Sequence, residues 1–174
     1  MITIVSGTNR KKANSYKIAV QYKEILKALG EEATILDLEN LPPDFLTTAF
    51  YENTGKNERF QPMMKAMKDS DKFVFIVPEY NGSFPGIFKL FLDALEFPST
   101  LTHKKCAMVG LSSGVQGSAL AMSHLTDIFN YLGMHVLAQK PKLMSIHERM
   151  ENDEVTDELG VQLLKEQAEA LIKF

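Results

Sequence analysis

Val77-Pro78-Glu79-Tyr80-Asn81-Gly82-Ser83-Phe84-Pro85-Gly86 is the stretch on which the reading of this chain turns. Ahead of it lies Phe73-Val74-Phe75-Ile76-Val77, an unbroken apolar run that suits a strand buried on both faces. Behind it, Ile87 to Leu95 carries its apolar residues at helical spacing. Asn81-Gly82 is a turn signal. Pro85 fits the first turn of a helix, where a missing N–H costs nothing. The stretch predicts a tight strand–turn–helix corner. In an open parallel sheet, ligands bind at the carboxyl ends of strands, beside such corners.

Working outward, strands and helices alternate. Residues 2–5 and 33–38 read as strands. Between them Ile18, Ala19, Tyr22, Ile25, Leu26 and Leu29 form the apolar stripe of a helix, with Asn14 or Ser15 to cap its start and Gly30 to close it. Residues 41–62 hold two prolines in succession and several aromatics without clear period, and a connection of that length is uncommon unless it has a function. A short helix is expected over 63–70. The helix after the corner is expected to run to about residue 97, where Pro98-Ser99-Thr100 punctuates the chain. A strand over 105–111, a helix to about 132 and a strand over 135–138 follow. The acidic residues of 151–158 favour the start of a last helix, whose apolar positions include Leu159, Leu163, Leu164, Leu171 and Ile172. This alternation predicts one α/β domain over residues 1–174, a parallel sheet covered on both faces.

Composition narrows the function. The chain has 174 residues with 45% hydrophobic and 24% charged, ordinary for a globular protein. A net charge of −3 gives no basic footprint for nucleic acid. No apolar run approaches the ~20 residues needed to span a bilayer. No positively charged leader precedes Ile2, so a signal peptide is not expected. The single cysteine, Cys106, cannot form an intrachain disulfide and sits in an apolar strand, so it reads as a buried, inert thiol. A cytoplasmic location is the expectation. The histidines are scattered, without metal-ligand spacing.

Pro78-Glu79-Tyr80-Asn81-Gly82-Ser83, followed by Pro85-Gly86 and a Phe/Leu/Lys helix with Asp93, resembles the flavin-contacting loop of the NADPH-dependent FMN reductase family. That family includes azoreductases, quinone reductases and chromate reductases. The resemblance implies a flavodoxin-like fold, a doubly wound sheet in the order 2-1-3-4-5 with helices on both faces. In that order the first, third and fourth strands are adjacent, so the loops at their carboxyl ends converge on one site.

The first loop suits an anion. Free N–H groups and the positive end of the helix dipole attract phosphate, and Arg10 adds a planar, permanently charged fork. The family pattern for the FMN phosphate is similar to Gly7-Thr8-Asn9-Arg10 and Asn14-Ser15, which makes Thr8, Arg10, Asn14 and Ser15 the implied contacts; the chain departs from it at Ala13, where a hydroxyl is common. The plain alternative is a polar turn with a helix cap. The second loop, Pro78, Glu79, Tyr80, Asn81, Gly82 and Ser83, is expected to face the flavin ring through its backbone. Tyr80 would pack on the ring or the substrate. Ser112, Ser113 and Gly114 in the third loop resemble the family's small-residue flavin loop, or simply open the next helix. Lys11 and Lys12 either hold an NADPH phosphate or stay solvated.

The expected function is an NAD(P)H-dependent reductase that uses FMN, with NADPH or NADH as co-substrate and a quinone, azo compound or free flavin as acceptor. Three other readings stay open. One is a flavodoxin-type one-electron carrier. Another is a binding protein that kept the fold and lost the cofactor. The third is a serine hydrolase, since Gly110-Leu111-Ser112-Ser113-Gly114 matches the nucleophile-elbow pattern and Asp127 and His135 or His147 follow in order. Residues 41–62 are expected to fold over the flavin and shape the acceptor pocket, with Phe45, Phe50 or Tyr51 nearest. The helix after the corner is apolar over most of its circumference: Phe84, Phe88, Phe91 and Leu95 form one stripe, and Ile87, Leu90 and Ala94 another. A homodimer or homotetramer would bury the second stripe; residues 41–62 could do so instead.

Overall fold

Strand β1 (Ile2–Ser6) has no exposed residue, so both of its faces need cover. The computed structural model, which describes residues 1–98 and 100–174, supplies it. Strands β1, β2 (Ala33–Asp37), β3 (Lys72–Pro78), β4 (Lys105–Leu111) and β5 (His135–Val136) form a parallel sheet in the order β2-β1-β3-β4-β5. This is the order expected from the sequence. Helices α1 (Asn14–Ala28) and α6 (Glu158–Lys173) cover one face, where Tyr22, Leu26, Leu164 and Leu171 pack on Ile4, Val74 and Val109. Helices α3 (Gln61–Asp69), α4 (Gly86–Asp93) and α5 (Ala119–Tyr131) cover the other. There Phe75 stacks on Phe129 with ring centroids 4.6 Å apart and meets Phe88 at 5.6 Å.

The fifth strand departs from expectation. It breaks after Val136 and resumes as β6 (Lys142–Leu143), which pairs with the far end of β4. Pro141 lies in the gap, and proline is confined to edges and bulges of sheets because it has no N–H to give. Helix α6 closes the gap: the buried Gln167 donates to Met108 O at 2.9 Å and to Gln139 O at 2.8 Å, and accepts from Tyr22 Oη.

Residues 41–62 also depart from expectation. They form a short helix, α2 (Phe45–Thr48), and pack outside the sheet on α4 rather than over the loops. Phe45 meets Phe60 at 5.0 Å, and Phe60 meets Phe91 edge-on at 6.0 Å. Tyr51 stands 89% exposed. The aromatic residues of the excursion thus serve as extra core for α4.

Other boundaries shift by local chemistry. Helix α4 is shorter than expected, ending at Asp93, and Pro85 is its N-cap rather than part of its first turn. Ser99 lies outside the described residues. Ahead of α6 the acidic residues form a hairpin of β7 (Met150–Glu151) and β8 (Glu154–Val155), turned by Asn152 and Asp153 at φ 48° and 69°. Two successive positive φ values mark the turn type that suits hairpins. Asp157 then caps α6 by accepting from Gly160 N at 2.8 Å. Leu159, one of the apolar positions of this helix, is 59% exposed.

Candidate active site

Strands β1, β3 and β4 end side by side, and the loops that follow enclose a cleft of ≈ 730 Å³. Three hydrogen-bonded links hold those loops. Thr8, a residue only 1% exposed, places its hydroxyl 2.8 Å from the Tyr80 hydroxyl and ties the first loop to the second. The Glu79 carboxylate accepts from Ser118 N at 3.1 Å and ties the second to the third. Within the third loop, Ser112 Oγ donates to Gly114 O at 2.7 Å and accepts from Gly117 N at 2.8 Å. Gly110 lets this loop fold back on β4, since a Cβ there would lie 2.3 Å from Gly117 O.

The second loop is a two-residue turn. Asn81 and Gly82 have φ 51° and 76°, and Tyr80 and Ser83 exchange both backbone hydrogen bonds, at 2.8 and 3.1 Å. The turn holds Tyr80 and Asn81 at the cleft; Tyr80 keeps 37% of its surface exposed.

The first loop gathers positive charge. Arg10, Lys11, Lys12 and Lys17 all line the cleft, against one carboxylate, Glu79. Lys17 is committed to Asp153 at 2.7 Å; Arg10, Lys11 and Lys12 make no ion pair among the described residues. Helix α1 begins in the same place without a side-chain cap. Its N-cap is Ala13, which has no acceptor, so neither Asn14 nor Ser15 caps it as expected, and no acidic residue stands in its first turn. The free amides of that turn and the helix dipole are left for an anion. Ser15 Oγ sits 3.1 Å from Ser6 Oγ beneath the loop. Close by, burial lifts the carboxyl of Asp37 above the usual carboxylate range, against the opposing pull of the Glu39 amide and the Ser6 hydroxyl.

Every candidate residue of the first loop lines the cleft, as do Pro78, Glu79, Tyr80, Asn81, Ser112 and Ser113. Gly82, Ser83 and Gly114 do not. Gly82 is spent on the turn, the Ser83 hydroxyl pairs with His124 Nδ1 at 2.9 Å, and the Gly114 carbonyl is taken by Ser112 and Ser145. Sequence reasoning missed Ile146 and His147 as wall residues. They arrive because Ser145 N donates to Gly114 O and Ile146 N to Ser112 O, at 2.9 and 3.0 Å. His147 Nε2 then reaches Ser113 Oγ at 3.2 Å.

The FMN-reductase family model, described as NADPH-dependent FMN reductase, matches residues 1–146. The chain belongs to this family. Among curated relatives it is 36% identical over 88 residues to a 2-hydroxy-1,4-benzoquinone reductase of a Burkholderia species, covering 49% of this chain and 48% of that one. It is 31% identical over 119 residues to an NAD(P)H-dependent FMN reductase of Pseudomonas aeruginosa, covering 66% and 62%. The chain thus spans about half to three-fifths of the length of these relatives. Among solved structures, the flavoenzyme NAD(P)H:(acceptor) oxidoreductase FerB of Paracoccus denitrificans matches with a TM-score of 0.78 at 24% identity, covering 99% of this chain and 94% of that one. The fold is flavodoxin-like.

In a member of this family the hydrolase reading of Ser112 does not hold. Ser112 is 6% exposed and its hydroxyl is engaged at both ends within its own loop. His147 reaches Ser113 instead. His135 pairs with Lys105, at the opposite end of β4 from Ser112, and Asp127 is exposed on α5. Cys106 is buried, and burial pushes its thiol up to about 12, far from the thiolate a nucleophile needs.

Proposed function

We propose that the protein holds FMN in this cleft without a covalent link. In this reading it passes reducing equivalents from NADPH or NADH to a small acceptor such as a quinone, an azo compound or free flavin. The observation that carries the reading is an uncapped α1 N-terminus beside Arg10, Lys11 and Lys12, which make no ion pair among the described residues, in a chain of net charge −3. One compact anion site suits one phosphate monoester, hence FMN rather than a dinucleotide. The donor set fits the group. Arg10 supplies a bidentate fork for phosphate, and Thr8, Asn14 and Ser15 supply neutral hydrogen bonds. The second and third loops present backbone groups and Tyr80 to the polar edge and face of a flat ring.

FMN held by Arg10, Thr8, Asn14 and Ser15 would supply the hydride-transfer chemistry. The chain's own work is to hold, orient and expose it. Thr8 and Tyr80 fix the first two loops to each other, and the internal bonds of Ser112 keep the third loop open beside them. A one-electron carrier on the same fold would not oxidise NADPH with turnover. Mixing the purified protein with FMN, NADPH and a quinone therefore tests the reading: sustained NADPH oxidation is expected, and none with FMN bound would leave the carrier.

We also propose a homodimer, or a tetramer built from it, with cytoplasm as its working compartment. Residues 41–62 pack on Phe91 of the first stripe of α4, and Ile87 and Leu90 of the second stripe stay half-buried, as does Phe84 just ahead of the helix. On the neighbouring α5, Leu120 is 55% and Tyr131 82% exposed. No helix among the described residues is long and apolar enough to cross a membrane.

A further inference from the structure

Past the last ladder pair of β3 and β4, Pro78 with Leu111, Glu79 N donates to Leu111 O at 3.0 Å and the chains then part into the second and third loops. The Glu79 side chain bridges that gap to the amide of Ser118. Ser118 holds the N-cap position of α5 but caps nothing. Its backbone lies in the left-handed region at φ 65°, and its hydroxyl is buried with no partner among the described residues. An N-cap serine ordinarily supplies the oxygen that a first-turn amide needs. The first turn of α5 has no acidic residue either. Glu79, 39 residues earlier, accepts instead from the amide of the N-cap residue Ser118 itself. No cation of the cleft competes for it: Arg10, Lys11, Lys12 and Lys17 make no ion pair with Glu79 among the described residues.

The geometry assigns Glu79 as a positioning residue: through the Ser118 amide it fixes the third loop and the start of α5 against the second loop, setting the gap in which the flavin ring is held. This rests on the flavin reading above. Glu79 transfers no proton and touches no reacting atom in this role. The side chain matters as an acceptor, and its charge is secondary.

Two variants separate acceptor from charge. Glu79→Gln keeps an oxygen acceptor and drops the charge, whereas Glu79→Met keeps the length and drops the acceptor. In the purified full chain, NMR hydrogen exchange at the Ser118 amide should speed up about tenfold or more in Glu79→Met, while Met108 and Val109 in β4 stay protected. FMN affinity should fall about tenfold in Glu79→Met and stay within about threefold of the unaltered protein in Glu79→Gln, a conservative rescue that loss of charge alone would not give. Unchanged Ser118 exchange in Glu79→Met overturns the assignment. So does a Glu79→Gln variant that loses as much affinity as Glu79→Met. If the unaltered protein binds no FMN, the flavin reading fails by itself, and the Ser118 amide still decides whether Glu79 fixes the loop.

Discussion

Arg10 stands in the cleft as an exposed guanidinium with no carboxylate paired to it among the described residues, beside a helix start that lacks a cap. If it clamps a phosphate, Arg10→Ala should weaken FMN binding by about 1.5–3 kcal/mol, the range for a charge-assisted hydrogen bond. Arg10→Lys should recover only part of that, because a point charge cannot reproduce the fork. Titration of cofactor-free protein with FMN reads both, and an unchanged affinity in Arg10→Ala removes Arg10 from the site. Asp37 gives a second test at this scale. Its folded carboxyl is raised by burial, so the charged form is the disfavoured one. The stability it contributes is present below the unfolded carboxyl value of ~3.9 and is lost as pH rises through the raised folded value. Asp37→Asn should flatten that part of the profile, read as the difference in thermal midpoint between about pH 4 and about pH 7. An identical difference in both proteins would show that Asp37 does not shape it.

The elements around the cleft divide into those set by their neighbours in sequence and those set from far away. The turn after β3 is of the first kind. Asn81-Gly82 needs two positive φ values, and Gly82 takes φ 76° without a Cβ penalty. Gly82→Ala should cost about 1–2 kcal/mol in a urea transition, and a loss of a few tenths only would mean the turn is not strained as described. Such local signals made the corner and the alternation of strands and helices legible in the sequence, and the family resemblance carried by the corner implied the strand order. The broken fifth strand was not legible, because its repair comes from Gln167 on α6, a side chain 28 residues beyond the Gln139 carbonyl it satisfies. Gln167→Leu leaves Met108 O without its donor and Tyr22 Oη without its acceptor in the interior, and Gln139 O without its donor at a partly buried position. A loss of about 2–5 kcal/mol is expected from equilibrium unfolding, at roughly 1–3 kcal/mol per stranded group. The place of His147 in the cleft wall escaped notice for a similar reason. Its place depends on the left-handed backbone of Ser145 and on amide bonds back to the third loop, and no periodicity encodes either. Residues 41–62 were misjudged because aromatics in an irregular segment fit a cofactor lid and a patch of core equally well; only packing on Phe91 decides between them.

At the scale of the whole molecule, the charge distribution and the apolar surface point to the same end of the sheet. The chain is acidic overall, yet its cleft carries four cationic side chains and one carboxylate. The half-buried residues of α4 begin directly after the second loop, so a partner packed there would wall the cleft. Light scattering at micromolar concentration should give the mass of a dimer or tetramer. Leu90→Glu on the uncovered stripe should shift it to monomer, while the fold is kept because Leu90 is not part of the sheet-facing core. A monomeric unaltered protein that still binds FMN and oxidises NADPH would refute the assembly without touching the cofactor. The cofactor itself is tested most directly by titrating the purified protein with FMN and reading the visible spectrum of what stays bound after gel filtration. Stoichiometric retention of one FMN per chain, with a flavin spectrum altered from that of the free cofactor, is the predicted result. A colourless protein after exposure to excess FMN would contradict it.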